Sequence, residues 1–284
     1  DLVGEGQNEN AIFARPFNEK EAFPQKLTSK KYNIKNNFHG YGGKSYKCIY
    51  LKNNFYLIWI DQITNAVWFQ IFKEVASNYR SQKRYLDSVQ EPRQLSKSID
   101  GNFDSSFVIS QKNFLYGICE INNRDYLFSL NLKKTKQDIH RIKKFKNFAG
   151  ELSSNTSVSL LSWVEWDSPY MPWEKNDLCF AQIDLDGEIT KIKKFSDKLI
   201  NAKKNVSFFQ PYWISETLLV CSEDSSGWWN LLFLDASKIE NIFIKKRVER
   251  NFVEYGVPQW VSGITFFSGD IKDLFCLAKK ENNL

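Results

Sequence analysis

Pairs of short apolar segments recur along the chain at a near-constant spacing. "FYLIWI" (55–60) is followed by a turn and "VWFQIF" (67–72), and "FLYGICE" (114–120) by "YLFSLNL" (126–132). "LLSWVEW" (160–166) is followed, after a longer loop, by "LCFAQID" (178–184). Further on, "TLLVCSE" (217–223) precedes "WWNLLFL" (228–234), and "ITFFS" (264–268) precedes "LFCLAKK" (274–280). "NAIFARPF" (10–17) reads as the second member of a pair whose first member is missing. The second members begin near residues 11, 67, 126, 178, 228 and 274, in steps of 56, 59, 52, 50 and 46. Their β-branched and aromatic content favours strands. A period of this size, made of short strands with turn residues between, predicts an all-β chain: a β-propeller of four-stranded blades. About six blade-like units fit, incomplete at both ends, with residues 1–284 forming a single domain. The stretch "WFQIFKEVASNYRSQKRYLD" (68–87) also reads as a helix, but its front half fits the repeat better.

A second echo supports the repeat. "QPYWIS" (210–215) and "VPQWVS" (257–262) share Pro-x-Trp followed by a β-branched residue and Ser. Proline is tolerated where a strand begins, and a tryptophan there can pack between blades. Trp213 and Trp260 are therefore both expected in the core.

"NFHGYGGKSY" (37–46) ends its glycine run in Gly-Lys-Ser, like a phosphate-binding loop. That motif needs a glycine at position 38, where Phe stands, and a helix after it, where "YKCIYLKNNFYLIWI" reads as strand. The nucleotide reading is therefore set aside. Gly40, Gly42 and Gly43 are expected to let backbones approach closely where the chain enters the inner strand of an early blade.

Charge and cysteines narrow the partners. The net charge is +6, with lysines clustered in "LKKTKQDIHRIKKFK", "KIKKFSDK" and "IKKRVER". Such runs bind nucleic acid in some proteins. Their recurrence after successive strands instead suits exposed edge strands protected from edge-to-edge pairing, and no nucleic-acid partner is expected. His140 lies in one of these runs and is read as solvated linker. No apolar run approaches the roughly 20 residues that span a membrane. Cys48, Cys119, Cys179, Cys221 and Cys276 are scattered and form no Cys-x-x-Cys pair. They read as buried free thiols of a cytoplasmic protein, with no structural metal.

Several stretches, in order, resemble one family. "FHGYGGKSY" is similar to a His-Glu-Tyr-Gly-Gly-Gly-x-Tyr segment. "LSWVEWDSPYMPWEKNDLCFAQIDLDGEI" is similar to Trp-x-x-Trp-Asp-His-Pro-x-Met-Pro-Trp-Asp with its following strand and Asp-Gly turn. "FFQPYWISETLLVCSEDSSGWWNLLFLD" and "EYGVPQWVSG" are similar to Gln-Pro-x-Trp, Ser-Asp-x-x-Gly-Trp-Trp-Asn-Leu and Gly-x-Pro-Gln-Trp-Val segments. These belong to the N-terminal propeller of the prolyl oligopeptidase (S9) serine peptidases, in the bacterial dipeptidyl/acylaminoacyl-peptidase-like branch. Departures from the pattern are Gly40 for Glu, Lys44 for the third Gly, Ser168 for His, Glu174 for Asp, and a turn in "SEDSSGWW" (222–229) without its Arg.

The resemblance implies a substrate-gating propeller for short peptides. Catalysis would rest with a Ser-His-Asp hydrolase domain beyond Leu284. The first residue is Asp and both ends look cut, so the chain reads as a fragment. It has no Gly-x-Ser-x-Gly elbow, and neither His39 nor His140 follows a Ser-then-Asp order. No catalytic residue and no cofactor is expected in it, and self-association stays open. His39, Tyr41, Trp166, Asp167, Tyr170 and Trp173 are the candidates for contact with substrate or with the hydrolase domain. The loop "DSPYMPWEKN" (167–176) reads first as self-packed, pinned by Pro169 and Pro172, and otherwise as a contact to that domain. Glycosidase chemistry would need a carboxylate pair. None stands out among Glu165, Asp167, Glu174, Glu223, Asp224 and Glu254, most of which read as hairpin-loop acids. The remaining alternative is a propeller that serves only as a protein-interaction or ligand-binding module.

Overall fold

The computed structural model describes residues 10–18, 21–76, 84–195 and 205–280. Four antiparallel blades follow one another. The first is Tyr46–Leu51, Asn54–Asp61, Ala66–Ala76 and Arg84–Ser88. The second is Gly101–Phe103, Phe114–Ile121, Arg124–Asn131 and His140–Lys144, with Val108–Ile109 continuing the first strand's edge. The third is Phe148–Ser154, Leu160–Trp166, Asp177–Ile183 and Ile189–Lys194. The fourth is Phe208–Trp213, Leu218–Glu223, Asn230–Asp235 and Phe243–Val248. Partial units flank them: Phe13–Ala14 with Gln25–Lys26 before, and Phe267–Gly269 with Leu274–Cys276 after. A further pair joins Val253–Glu254 to Lys279–Lys280. The first four recurring apolar pairs are thus the central hairpins of the four blades, while the fifth forms a two-stranded hairpin by itself.

Local chemistry sets the hairpins. Lys52–Asn53 and Asn122–Asn123 are two-residue loops with both φ positive, between 51° and 61°. That is the type I′ geometry whose twist matches the flanking strands, and Asn tolerates it. Burial then follows position. The middle strands are nearly all buried, whereas the fourth strands, "HRIKK", "ITKIKK" and "FIKKRV", are largely exposed. The lysine runs therefore lie on outer edges, as expected, although residues 196–198 of "KIKKFSDK" lie outside the described residues. Apolar clusters fill the spaces between successive blades, with Trp59, Phe69, Phe128, Trp163 and Phe180 among the fully buried rings.

The inner strands carry a device that the sequence did not announce. The first strands of the third and fourth blades are bulged, with Glu151 at φ 58° and Gln210 at φ 53°. Each bulge turns a polar side chain or amide toward a neighbouring unit. Ser106 Oγ accepts the Leu152 N–H at 3.0 Å. Glu151 Oε2 accepts the Gln210 N–H at 2.8 Å. Gln210 in turn accepts from Phe266 N–H and donates to the Phe267 carbonyl, each at 2.6 Å. Neighbouring inner strands are thus fastened by one repeated type of contact. Pro211 sits in the second bulge, where no ladder hydrogen bond is lost.

Several expectations are corrected. Phe13–Ala14 is two residues long, and its partner follows it in sequence. His140 opens a strand instead of lying in a linker, and its Nε2 is 2.9 Å from Glu188 Oε1. The strand reading of "WFQIFKEVA" holds, since Ala66–Ala76 is one strand, while residues 77–83 of the helical alternative lie outside the described residues. Cys119, Cys179 and Cys221 are buried free thiols, but Cys48 is exposed and Cys276 half-buried. Glu165 and Glu223 stand on strands, not in loops, and Glu223 is fully buried against Arg247. Among the described residues, no helix is long and apolar enough to cross a membrane.

Candidate functional site

The glycine segment, the third blade's inner strand, its long loop and the 256–263 segment meet at one place. Gly43 forms a parallel bridge with Ser262. The Ser262 N–H donates to Gly42 O, and the Lys44 N–H donates to Ser262 O, each at 3.1 Å. A Cβ on Gly43 would lie 2.3 Å from Ser262 O, and one on Gly42 2.6 Å from Asn36 O, so both glycines serve close approach. Gly40 differs: it has φ +79° and nothing within 4 Å, so its requirement is conformational alone.

This junction closes a cavity of about 340 Å³. Its wall includes Tyr41, Phe148, Trp166, Tyr170, Trp173 and Trp260, with His39 and Glu151 as its ionisable groups. Trp173 and Trp260 pack with ring centroids 4.3 Å apart, and Tyr41 meets Trp260 edge-on at 6.0 Å. Phe148 stacks on Trp166, and His39 sits edge-on to both.

Five of the six candidates read from the sequence, His39, Tyr41, Trp166, Tyr170 and Trp173, line this cavity. Asp167 does not. It binds Lys146 Nζ at 2.6 Å and Asn147 Nδ2 at 2.9 Å, anchoring the start of the loop. The loop is not merely self-packed. Asn176, 4% exposed, donates to Pro172 O and Phe208 O at 2.8 Å and accepts from the Phe208 N–H, tying the loop to the fourth blade.

The twin Pro-x-Trp motifs part company. Trp213 is 8% exposed and donates to Ser162 Oγ at 2.9 Å, as a core tryptophan between blades should. Trp260 is 52% exposed and faces the cavity, which overturns its assignment to the core. Gln210–Trp213 lies in a full inner strand, whereas residues 257–262 run as loop against Gly42–Lys44, so the same local signal meets different surroundings.

His39 has φ 52°, and its Nε2 lies 2.8 Å from Asp125 Oδ2. Asp125 is 1% exposed and also accepts the Ala149 N–H at 2.7 Å. Burial raises its carboxyl above the usual range, more than His39 and the amide lower it. This contact leaves Nδ1 as the ring's other hydrogen-bonding atom. Glu151, which the sequence did not single out, has its carboxyl pushed up to about 8 by burial, against the Gln210 N–H and with a further rise from Asp104. Nothing in "GELSS" marks it, because the bulge that aims it exists only once the blades are packed.

No family model matches the chain, and no curated protein matches it. Solved structures do. The crystal structure of puromycin hydrolase superposes with a TM-score of 0.71 at 17% identity, over 92% of this chain and 39% of that one. This chain has the fold of that chain's propeller part. A Mycobacterium tuberculosis puromycin-hydrolyzing peptidase gives 0.67 at 17% identity, over 87% of this chain and 36% of that one. A puromycin hydrolase mutant complexed with PGG gives 0.71 at 16% identity. The chain therefore spans well under half the length of the hydrolases it superposes on.

Proposed function

We propose that residues 1–284 form the non-catalytic propeller of a serine peptidase of the prolyl oligopeptidase family, capping an α/β-hydrolase domain that carries the Ser-His-Asp triad. In this reading the propeller admits short unfolded peptides, excludes folded proteins, and holds one end of the substrate in the aromatic cavity. The convergence of His39, Tyr41, Trp166, Tyr170 and Trp173 on one cavity is the observation that carries the proposal. These residues come from separate segments that the sequence resemblance had already marked. The overlap with about two-fifths of a puromycin hydrolase supports it. The dipeptidyl/acylaminoacyl-like branch and a cytoplasmic site belong to the same proposal.

The test compares two products: this chain alone, and the whole product of the coding region that contains it. Each is assayed on aminoacyl, dipeptidyl and acylaminoacyl nitroanilides. The whole product is expected to turn over at least one of them in a manner blocked by a serine-directed inhibitor, and the 284-residue chain none. Turnover by the chain itself would overturn the division of labour. An inert whole product would favour the alternative, a propeller that only binds.

A further inference from the structure

The cavity wall is unusual in kind, not only in polarity. Its apolar surface is mostly ring, and the rings present both faces and edges. Trp173 and Trp260 are tilted by 39° to each other, Tyr41 meets Trp260 at 72°, and Phe148 and Trp166 are stacked at 20°. Aliphatic side chains contribute only Met171, Val261 and the two prolines. Several of these rings are only partly covered: Trp260 is 52% exposed, Tyr41 58% and Tyr170 37%. In the first and third blades, tryptophans of comparable size are fully buried. Here the chain leaves three large rings wet around a space at the small end of ligand pockets, which run from roughly 300 to 1,000 Å³.

The two tryptophans are also held by backbone that cannot easily move aside. Trp173 lies on the loop fixed by Asn176, and Trp260 on the segment fixed by the Gly42–Lys44 bridge and by Gln259 Nε2 donating to Phe208 O at 3.1 Å. Rigid rings at fixed angles favour a partner with its own quadrupole, because offset and edge-on contacts add to burial. They also order few rotamers on binding.

We infer that this cavity is a recognition pocket for a planar aromatic side chain of the ligand, packed against the contacting pair Trp173 and Trp260, with the Glu151 carboxyl as the polar group at its wall. This rests on the reading that the cavity holds part of a peptide, and it adds which side chain is held. Aromatic residues at the bound position would be preferred over aliphatic ones of similar area. The pocket would act independently of any hydrolysis.

Binding is tested directly on the 284-residue chain with uncharged probes, so that neither turnover nor a terminal charge enters. N-acetyl-phenylalaninamide and N-acetyl-leucinamide are titrated while the indole N–H resonances of the nine tryptophans are followed. The phenylalanine probe is expected to bind about tenfold more tightly than the leucine probe. Its shifts should be largest at Trp173 and Trp260 and absent at the buried Trp163. Trp173→Leu and Trp260→Leu keep apolar bulk but remove a ring, and each is expected to reduce the phenylalanine-over-leucine preference to about twofold. Equal affinity for the two probes, no binding of either, or shifts confined to other tryptophans would each overturn the inference. The wild-type comparison stands even if a variant does not fold. Failure of the peptidase reading would show as an inert whole product with aromatic preference intact, and failure of this inference as the reverse.

Discussion

Gly43→Ala is expected to destabilise the fold by about 3–5 kcal/mol, the sum of a strained backbone and an overpacked contact. Gly43 has φ +134°, and its missing side chain leaves room for the Ser262 carbonyl 2.3 Å from where a Cβ would sit. A flexible neighbour would swing away, but this one is backbone, fixed on both sides by the hydrogen bonds to Gly42 O and from Lys44 N–H. Relief therefore requires breaking the junction between the first blade's approach and the 256–263 segment, which also releases Trp260 from the cavity. Gly40→Ala is the matched control. It has the same positive sign of φ but open space around it, so only the left-handed penalty of about 1 kcal/mol applies. Urea unfolding midpoints of the two variants decide the matter. If both shift equally little, the junction is looser than its geometry indicates.

Glu151→Gln should make the protein more stable at alkaline pH and nearly neutral in acid. The Glu151 carboxyl titrates near 8 in the folded chain against an ordinary 4.5. Below 4.5 both states hold the proton, and the site costs nothing. Between 4.5 and 8 the unfolded chain releases it while the folded chain keeps it, so stability falls as pH rises through this window and levels off above it. The amide retains the acceptor that the Gln210 N–H needs and removes the charge. The variant is therefore expected to exceed the parent by roughly 3–5 kcal/mol at pH 8.5 and by about 1 kcal/mol or less at pH 5. Asp224, raised to about 6, and Asp125, also raised by burial, tilt both proteins in the same direction and cancel in the difference. A pH-independent difference would mean that Glu151 is ionised throughout and that its environment is more polar than its packing implies.

How much of this was legible depended on the length scale of each signal. The central hairpins were visible because a strand pair is a local object: short apolar runs rich in β-branched and aromatic residues, separated by turn residues and repeated at one period, suffice. The lysine-edged fourth strands followed from the same logic. The cavity was half legible. His39, Tyr41, Trp166, Tyr170 and Trp173 lie in segments with recognisable patterns, whereas Glu151 does not stand out and Trp260 reads as a core tryptophan. Glu151 looks like any strand residue until the Gly150/Ser153 register shift turns it. Trp260 carries the same motif as Trp213 and ends in a different place.

The sequence by itself determined the strands, the turns, the blade period and the resemblance that points to a peptidase propeller, because each depends on residues close together in the chain. Tertiary structure alone decided which rings stay wet, which carboxyl is buried, and which glycine abuts a carbonyl. Those outcomes depend on residues 57 apart, as in Gln210 with Phe267, or more than 200 apart, as in Gly43 with Ser262. No local propensity encodes a neighbour at that distance; packing density and the closing of backbone hydrogen bonds supply it.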